Sequence, residues 1–92
     1  MHVNFLLFEG LTQLDMTGPY EVLAGAPGFT VDFVAKTREP VRSDRGLCFV
    51  PTQTIASAPA CDLLVVPGGP GTDDAIVDPG WVAFTRVQGL AA

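Results

Sequence analysis

The sequence has few of the residues that form metal sites, disulfide scaffolds or nucleic-acid-binding surfaces. Its 92 residues include one histidine, His2, and two cysteines, Cys48 and Cys61, without CxxC spacing. We therefore expect neither a zinc site nor a disulfide framework. Five basic residues oppose ten acidic ones, for a net charge of −5 and a pI near 4.4. Without a basic cluster, these residues are not expected to bind nucleic acid.

The sequence also lacks an apolar run long enough to cross a bilayer and a basic segment typical of a secretory signal. We expect a cytoplasmic protein with no membrane partner, in which cysteines stay reduced. No cationic residue flanks Cys48 or Cys61, so nothing nearby would lower either thiol pKa. Both are predicted to be structural and to behave as small buried apolar residues.

Apolar residues, by contrast, are abundant. They make up 48% of the chain, and the mean hydropathy is +0.36. A chain of this length forms at most one domain, and such a domain buries only a modest share of its surface. We therefore expect part of the apolar surface to be covered by something outside these residues.

The most informative stretch is 62–71, Asp-Leu-Leu-Val-Val-Pro-Gly-Gly-Pro-Gly. Its unbroken apolar run predicts a strand over 62–66 buried on both faces, as in a parallel sheet. The glycine-rich turn precedes an acidic segment, 72–76, that is typical of a helix start. Open parallel sheets bind ligands at such turns, where backbone N–H groups can face an anion or oxyanion. The turn can equally serve only to reverse the chain, and Pro70 offers no N–H.

The remaining pattern predicts alternating strands and helices. We expect strands over 2–8 and 29–35, a largely helical segment over 12–25, a small antiparallel hairpin within 41–51, a loop over 56–60, and a last helix capped by Asp78 before the chain trails off over 89–92. Pro19 either kinks the first helix or opens a second one. The order predicts the beginning of a doubly wound α/β sandwich with a mostly parallel sheet and no internal domain boundary.

Several polar and aromatic residues have ordinary structural interpretations. Arg42, Asp44 and Arg45 are predicted to form a solvated hairpin tip. Trp81 and Phe84 lie at helical spacing and are expected in the core or a dimer contact. No metal site is expected at the acidic positions near the last helices, which lack an EF-hand ligand pattern: Asp73, Asp74 and Asp78.

Three motifs together resemble the ThiJ/PfpI superfamily, whose fold is like that of class I glutamine amidotransferases. They are Leu-Asp-Met-Thr-Gly-Pro at 14–19, Val-Arg-Ser-Asp-Arg-Gly-Leu at 41–47, and Asp-Leu-Leu-Val-Val-Pro-Gly-Gly at 62–69. The resemblance extends in matching order over about residues 3–88. Within the superfamily, the chain looks most similar to isonitrile hydratases and to the sensor domains of AraC-type regulators.

The resemblance implies a partial flavodoxin-like fold, a homodimer and a site that needs no cofactor. In such proteins a strained cysteine on a strand–helix elbow is the nucleophile, and that elbow would lie beyond residue 92. The residue matching the family's acidic partner of this cysteine is Asp15, and the match for the oxyanion-binding N–H is Gly69. Without the resemblance, Asp15 would be interpreted as a helix cap or a partner of the helix dipole.

The resemblance further implies that residues 1–92 are the N-terminal half of a single domain, incomplete at its C-terminus. The intact relative would add water to an isonitrile, a small-molecule substrate, and give an N-substituted formamide. The chain alone would be inactive, because it lacks the nucleophile. Two alternatives remain open: a ligand-sensing domain of an AraC-type regulator, and a small interaction domain without catalysis.

Overall fold

The computed structural model describes the backbone of residues 1–91 and the side chains of residues 1–89. It contains six strands and three helices: β1 (His2–Leu6), α1 (Gln13–Ala24), β2 (Thr30–Ala35), β3 (Val41–Arg42), β4 (Cys48–Phe49), β5 (Gln53–Thr54), β6 (Leu63–Val65), α2 (Thr72–Ala75) and α3 (Pro79–Ala91). Four strands form a parallel sheet in the order β5-β2-β1-β6, and β3 and β4 form a separate antiparallel pair. The predicted α/β class, with a mostly parallel sheet and a small hairpin, is confirmed.

Strand β1 is the centre of the sheet and of the core. It pairs with β2 on one side and with β6 on the other, and Val3, Phe5 and Leu6 are buried. Its length is shorter than the predicted 2–8, although Leu7 and Phe8 continue the buried run beyond the ladder. Such a run arises because helices or loops can cover both faces of a parallel sheet.

Helix α1 packs on the sheet through an aromatic cluster. The ring of Tyr20 lies 6.3 Å from that of Phe5 and 5.0 Å from that of Phe33, centroid to centroid. Pro19 lies inside this single helix, so the alternative of a second helix opening at Pro19 is wrong. The hydroxyl of Thr17 donates to the carbonyl of Gln13 one turn back, as threonine can within a helix.

Two predictions about strands are wrong. The segment 62–66 is not buried on both faces, since Leu63 is 39% exposed and Val66 53%, and β6 is an edge strand in the described part of the chain. The sheet also contains a fourth parallel strand, β5, which sequence reasoning missed. β5 has only two residues, Gln53 and Thr54, and both are polar, so no apolar pattern marks it.

Helix α3 begins at the predicted cap and runs further than predicted. The carboxylate of Asp78 accepts hydrogen bonds from the N–H groups of Gly80 and Trp81 at 2.9 and 3.2 Å. The side chain of Lys36 also binds it at 2.6 Å. The helix continues to Ala91, so the chain does not trail off over 89–91, and Ala92 lies outside the described residues. Trp81 and Phe84 are buried in the core, as predicted.

A polar cluster ties α3 to the sheet at the opposite edge from the glycine turn. The fully buried amide of Asn4 donates to the carbonyl of Pro59 and to the side chain of Gln88, each at 2.8 Å. The thiol of Cys61 donates to the same Gln88 oxygen at 3.1 Å. Cys61 is buried, but Cys48 is exposed on the hairpin, so the predicted burial of Cys48 is wrong.

None of the helices among the described residues is long and apolar enough to span a membrane.

Candidate active site

The topology places two loops next to each other at the carboxyl edge of the sheet. The chain runs from β1 outward to β2 and β5, then returns to β6 on the other side of β1. Strand order therefore reverses between β1 and β6, which is where open α/β sheets bind ligands. The loop after β1 (residues 7–12) and the loop after β6 (residues 66–71) flank this point. β1 and β6 are parallel neighbours, so their carboxyl ends lie side by side.

The loop after β6, which we call the glycine turn (residues 68–71), touches the loop after β1 so closely that side chains would not fit. Gly69 has φ +121°, and a Cβ there would lie 2.5 Å from the backbone nitrogen of Thr12 and 2.7 Å from its hydroxyl. A Cβ at Gly71 would collide with the carbonyl oxygen of Glu9. Glycine is required at both positions for this close approach.

Backbone hydrogen bonds hold the two loops together. The N–H of Thr12 donates to the carbonyl of Gly68 at 2.9 Å, and the N–H of Gly71 donates to the carbonyl of Gly10 at 3.0 Å. Thr12 is the N-cap residue of α1, yet its side chain makes no capping hydrogen bond. The first turn of α1 is therefore fixed against the glycine turn by the main chain.

Asp15, in the first turn of α1, reaches the glycine turn directly. Its carboxylate accepts a hydrogen bond at 3.1 Å from the N–H of Gly68, a contact that the sequence did not predict. Within residues 1–91, the N–H of Gly69 donates no hydrogen bond to a protein atom. A carboxylate thus lies beside a turn in which the N–H groups of Gly68 and Gly71 are hydrogen-bonded, while that of Gly69 has no acceptor among the described residues.

This arrangement offers two chemical functions at one edge of the sheet. Asp15 is exposed to solvent, so its carboxylate can exchange a proton with a bound molecule. A backbone N–H without a protein acceptor can donate to a developing negative charge. The candidate residues Asp15 and Gly69 therefore lie together, with Gly68 as an additional partner that sequence reasoning missed.

The hairpin of β3 and β4 also approaches this site, which the sequence did not indicate. The N–H of Gly10 donates to the carbonyl of Arg42 at 3.0 Å, and the N–H of Asp44 donates to the carbonyl of Leu11 at 2.8 Å. The predicted solvated tip is therefore only partly correct: these side chains are exposed, but the backbone is bonded to the loop after β1. Main-chain bonds between distant segments leave no signal in sequence patterns.

Two cavities flank the site without including Asp15 or Gly69. One, of about 270 Å³, lies beyond the ends of β1 and β2 and is lined in part by Glu9, Lys36 and Trp81. The other is a largely apolar groove of about 440 Å³ near Val66 and Val82.

Among the described residues, no group of three or more His, Cys, Asp or Glu side chains could hold a metal ion.

Among the described residues, neither cysteine makes a hydrogen bond to Asp15. Burial raises the pKa of the Cys61 thiol above its ordinary value, since a charged thiolate is poorly solvated there. Cys61 lies before β6, at the amino edge of the sheet, opposite to the glycine turn. This position agrees with a structural role for Cys61.

The parallel sheet with a switch point and a bonded glycine turn defines a doubly wound α/β protein. Residues 1–90 match the DJ-1/PfpI family. The chain is 41% identical over all 92 residues to an isonitrile hydratase from Pseudomonas putida. It also superimposes on a ThiJ/PfpI family protein from Pseudomonas syringae with a TM-score of 0.95 and 35% identity, over 99% of this chain. The chain belongs to the DJ-1/PfpI family.

These relatives are much longer than the matched region. The chain spans 40% of the isonitrile hydratase and 38% of the Pseudomonas syringae protein. A DJ-1 superfamily protein from Salmonella typhimurium shares the fold at a TM-score of 0.87 and 23% identity, and the chain covers 50% of it. The predicted family is thus confirmed, and no observation favours the regulator sensor as an alternative.

Proposed function

We propose that this chain supplies one part of an active site that adds water to an isonitrile and gives an N-substituted formamide. The observation that carries the proposal is the contact between the Asp15 carboxylate and Gly68, beside the Gly69 N–H, which has no acceptor among the described residues. The similarity to an isonitrile hydratase supports this choice of reaction over others that use a carboxylate and an N–H donor.

The reaction needs a nucleophile that these residues do not provide. In the proposed sequence a cysteine thiolate, from the part of the domain outside residues 1–92, attacks the isonitrile carbon and forms a C–S bond. Proton transfer to that carbon gives a thioimidate. Water then adds to the same carbon, the C–S bond breaks, and a proton reaches nitrogen, which leaves the formamide. Water is the only co-reactant, and the scheme transfers no atom to or from a cofactor.

In this scheme Asp15 is the group that supplies or relays the proton. Its carboxylate is fixed by Gly68 at the end of a loop, so it can serve as an acid in one step and a base in the next. The N–H of Gly69 helps to hold the developing charge or to orient the substrate. Residues 1–92 would then form the N-terminal half of a single domain, without turnover of their own.

The test is a chimera in which residues 1–92 replace the matching segment of the Pseudomonas putida isonitrile hydratase. We expect the chimera to produce formamide from an isonitrile and the unjoined 92-residue chain to produce none. The intact hydratase is the positive control. A folded chimera, judged by circular dichroism, that produces no formamide would contradict the proposal. Turnover by the unjoined chain would show that the nucleophile lies within these residues.

A further inference from the structure

The β3–β4 hairpin stands apart from the main sheet but is bonded to the loop that carries the site. It forms its own two-stranded sheet, and two of its residues, Val41 and Ser43, are buried. Its turn is well formed, since the N–H of Ser43 donates to Leu47 at 2.8 Å and the N–H of Gly46 donates to Ser43 at 3.1 Å. The hairpin is thus an ordered element rather than a loose tip.

Gly10 transmits one contact from the hairpin to the glycine turn. Its N–H donates to the carbonyl of Arg42 at 3.0 Å, and its carbonyl accepts from the N–H of Gly71 at 3.0 Å. Gly10 therefore makes a hydrogen bond to the hairpin through its N–H and to the glycine turn through its carbonyl. Gly10 has φ +79°, and a Cβ there would lie 2.9 Å from the backbone of Gly71, so a larger residue would separate the two.

Leu11 and Thr12 provide a second line of contacts from the hairpin. The carbonyl of Leu11 accepts from the N–H of Asp44 at 2.8 Å, and the N–H of Thr12 donates to the carbonyl of Gly68 at 2.9 Å. The Thr12 hydroxyl, instead of capping α1, is directed to the Asp44 carboxylate at 3.4 Å. The N–H of Gly68 in turn holds Asp15.

We propose that the hairpin is the positioning element of the candidate site, with Arg42 and Asp44 acting through residues 9–12 to fix the glycine turn and Asp15. This inference rests on the proposed function, because the contacts of the hairpin affect catalysis only if the glycine turn belongs to an active site. The coupling itself can be measured without any substrate. Failure of either proposal is therefore distinguishable from failure of the other.

Two glycines make a matched pair for the test. Gly46 in the hairpin turn has φ +91°, and Gly28 in the turn before β2 has φ +81°; a Cβ at either meets nothing within 4 Å. Alanine is strained at both positions because of the positive φ, with no steric clash at either. Gly46→Ala and Gly28→Ala should therefore carry similar local strain, and only Gly46→Ala strains the hairpin.

Hydrogen–deuterium exchange of the 92-residue chain, followed by mass spectrometry of its peptides, is the measurement. We expect Gly46→Ala to speed exchange about tenfold in peptides covering 9–12 and 67–72, with the peptide over β1 unchanged. Gly28→Ala should leave the exchange rate of the peptide over 67–72 unchanged. If Gly46→Ala prevents folding, Asp44→Ala is the second variant, because it removes only the side-chain contact with Thr12. It should speed exchange in the same two peptides by a smaller factor.

Two outcomes would overturn the proposal. Faster exchange confined to 41–49 would mean that the hairpin opens without affecting the glycine turn. Equal acceleration by Gly46→Ala and Gly28→Ala along the whole chain would mean that both changes act only through overall stability. In the chimera, Gly46→Ala should lower kcat by about tenfold more than Gly28→Ala does, since misplacement of a catalytic group by small distances is costly.

Discussion

The carboxylate of Asp15 accepts a hydrogen bond from the N–H of Gly68 at 3.1 Å, across 53 positions of the chain. The contact joins the first turn of α1 to the loop after β6, at the point where strand order in the sheet reverses. Two adjacent N–H groups therefore differ: that of Gly68 is hydrogen-bonded to Asp15, while that of Gly69 has no acceptor within residues 1–91. Acid and donor are thus presented side by side.

The glycine at position 69 should be irreplaceable. Gly69→Ala places a Cβ 2.5 to 2.8 Å from Thr12 and Gly10 at a φ that disfavours alanine, so we expect a loss of unfolding free energy of about 2 kcal/mol or more. Gly28→Ala, at a similar positive φ with open space, should cost only about 1 kcal/mol. Urea denaturation of both variants measures the difference, and equal losses would show that Gly69 can move away from Thr12.

The two cysteines should react at very different rates. Cys61 is buried and its thiol pKa is raised by burial, so little thiolate is accessible at neutral pH. Cys48 is exposed and should be alkylated at the rate of an ordinary thiol. Brief iodoacetamide treatment followed by mass spectrometry should label Cys48 first. Preferential labelling of Cys61 in the folded chain would contradict this prediction.

Stability should fall in acid partly through Asp78. The hydrogen bond from Lys36 and those from the start of α3 lower the pKa of Asp78 below its ordinary value of 3.8. A carboxyl group with a lowered pKa stabilises the fold above its unfolded-state pKa, and that contribution disappears as the pH drops below 3.8. Asp78→Asn should flatten the acid limb of a Tm-against-pH curve. Asp73→Asn, on exposed α2, is the control and should leave the curve unchanged.

In the described part of the chain β6 has no strand on its outer side, and this edge should make the isolated chain associate with itself or aggregate. Leu63 in β6 and Val66 directly after it expose apolar side chains, and unpaired edges tend to pair with other chains. Val66→Lys should lower the associated fraction in sedimentation velocity. Val50→Lys, on the exposed hairpin, is the matched control and should not. A wild-type chain that is monomeric and unfolds cooperatively with several kcal/mol of stability would refute the prediction.

The local sequence pattern predicted the parallel sheet, the hairpin and the glycine turn, because each has a short-range signal. The turn after β6 is marked by glycines and prolines, and α3 by Asp78 and Pro79. Burial of β6 was not predictable from its apolar run, because exposure depends on which strands lie beside it. The hydrogen bond between Asp15 and Gly68 was not predicted, since backbone orientation in a turn follows from φ and ψ, which the sequence does not reveal.

Isonitrile turnover by the chimera and by its Asp15→Asn form, with Glu21→Gln on the same helix as control, is the most direct test of the account. Asparagine keeps an acceptor for Gly68 but cannot transfer a proton, so Asp15→Asn should fold normally and lower kcat by roughly 100-fold or more. Glu21→Gln, an exposed carboxylate away from the glycine turn, should retain the rate of the unaltered chimera. Formamide production by Asp15→Asn at that same rate would contradict the assignment of Asp15 as the acid.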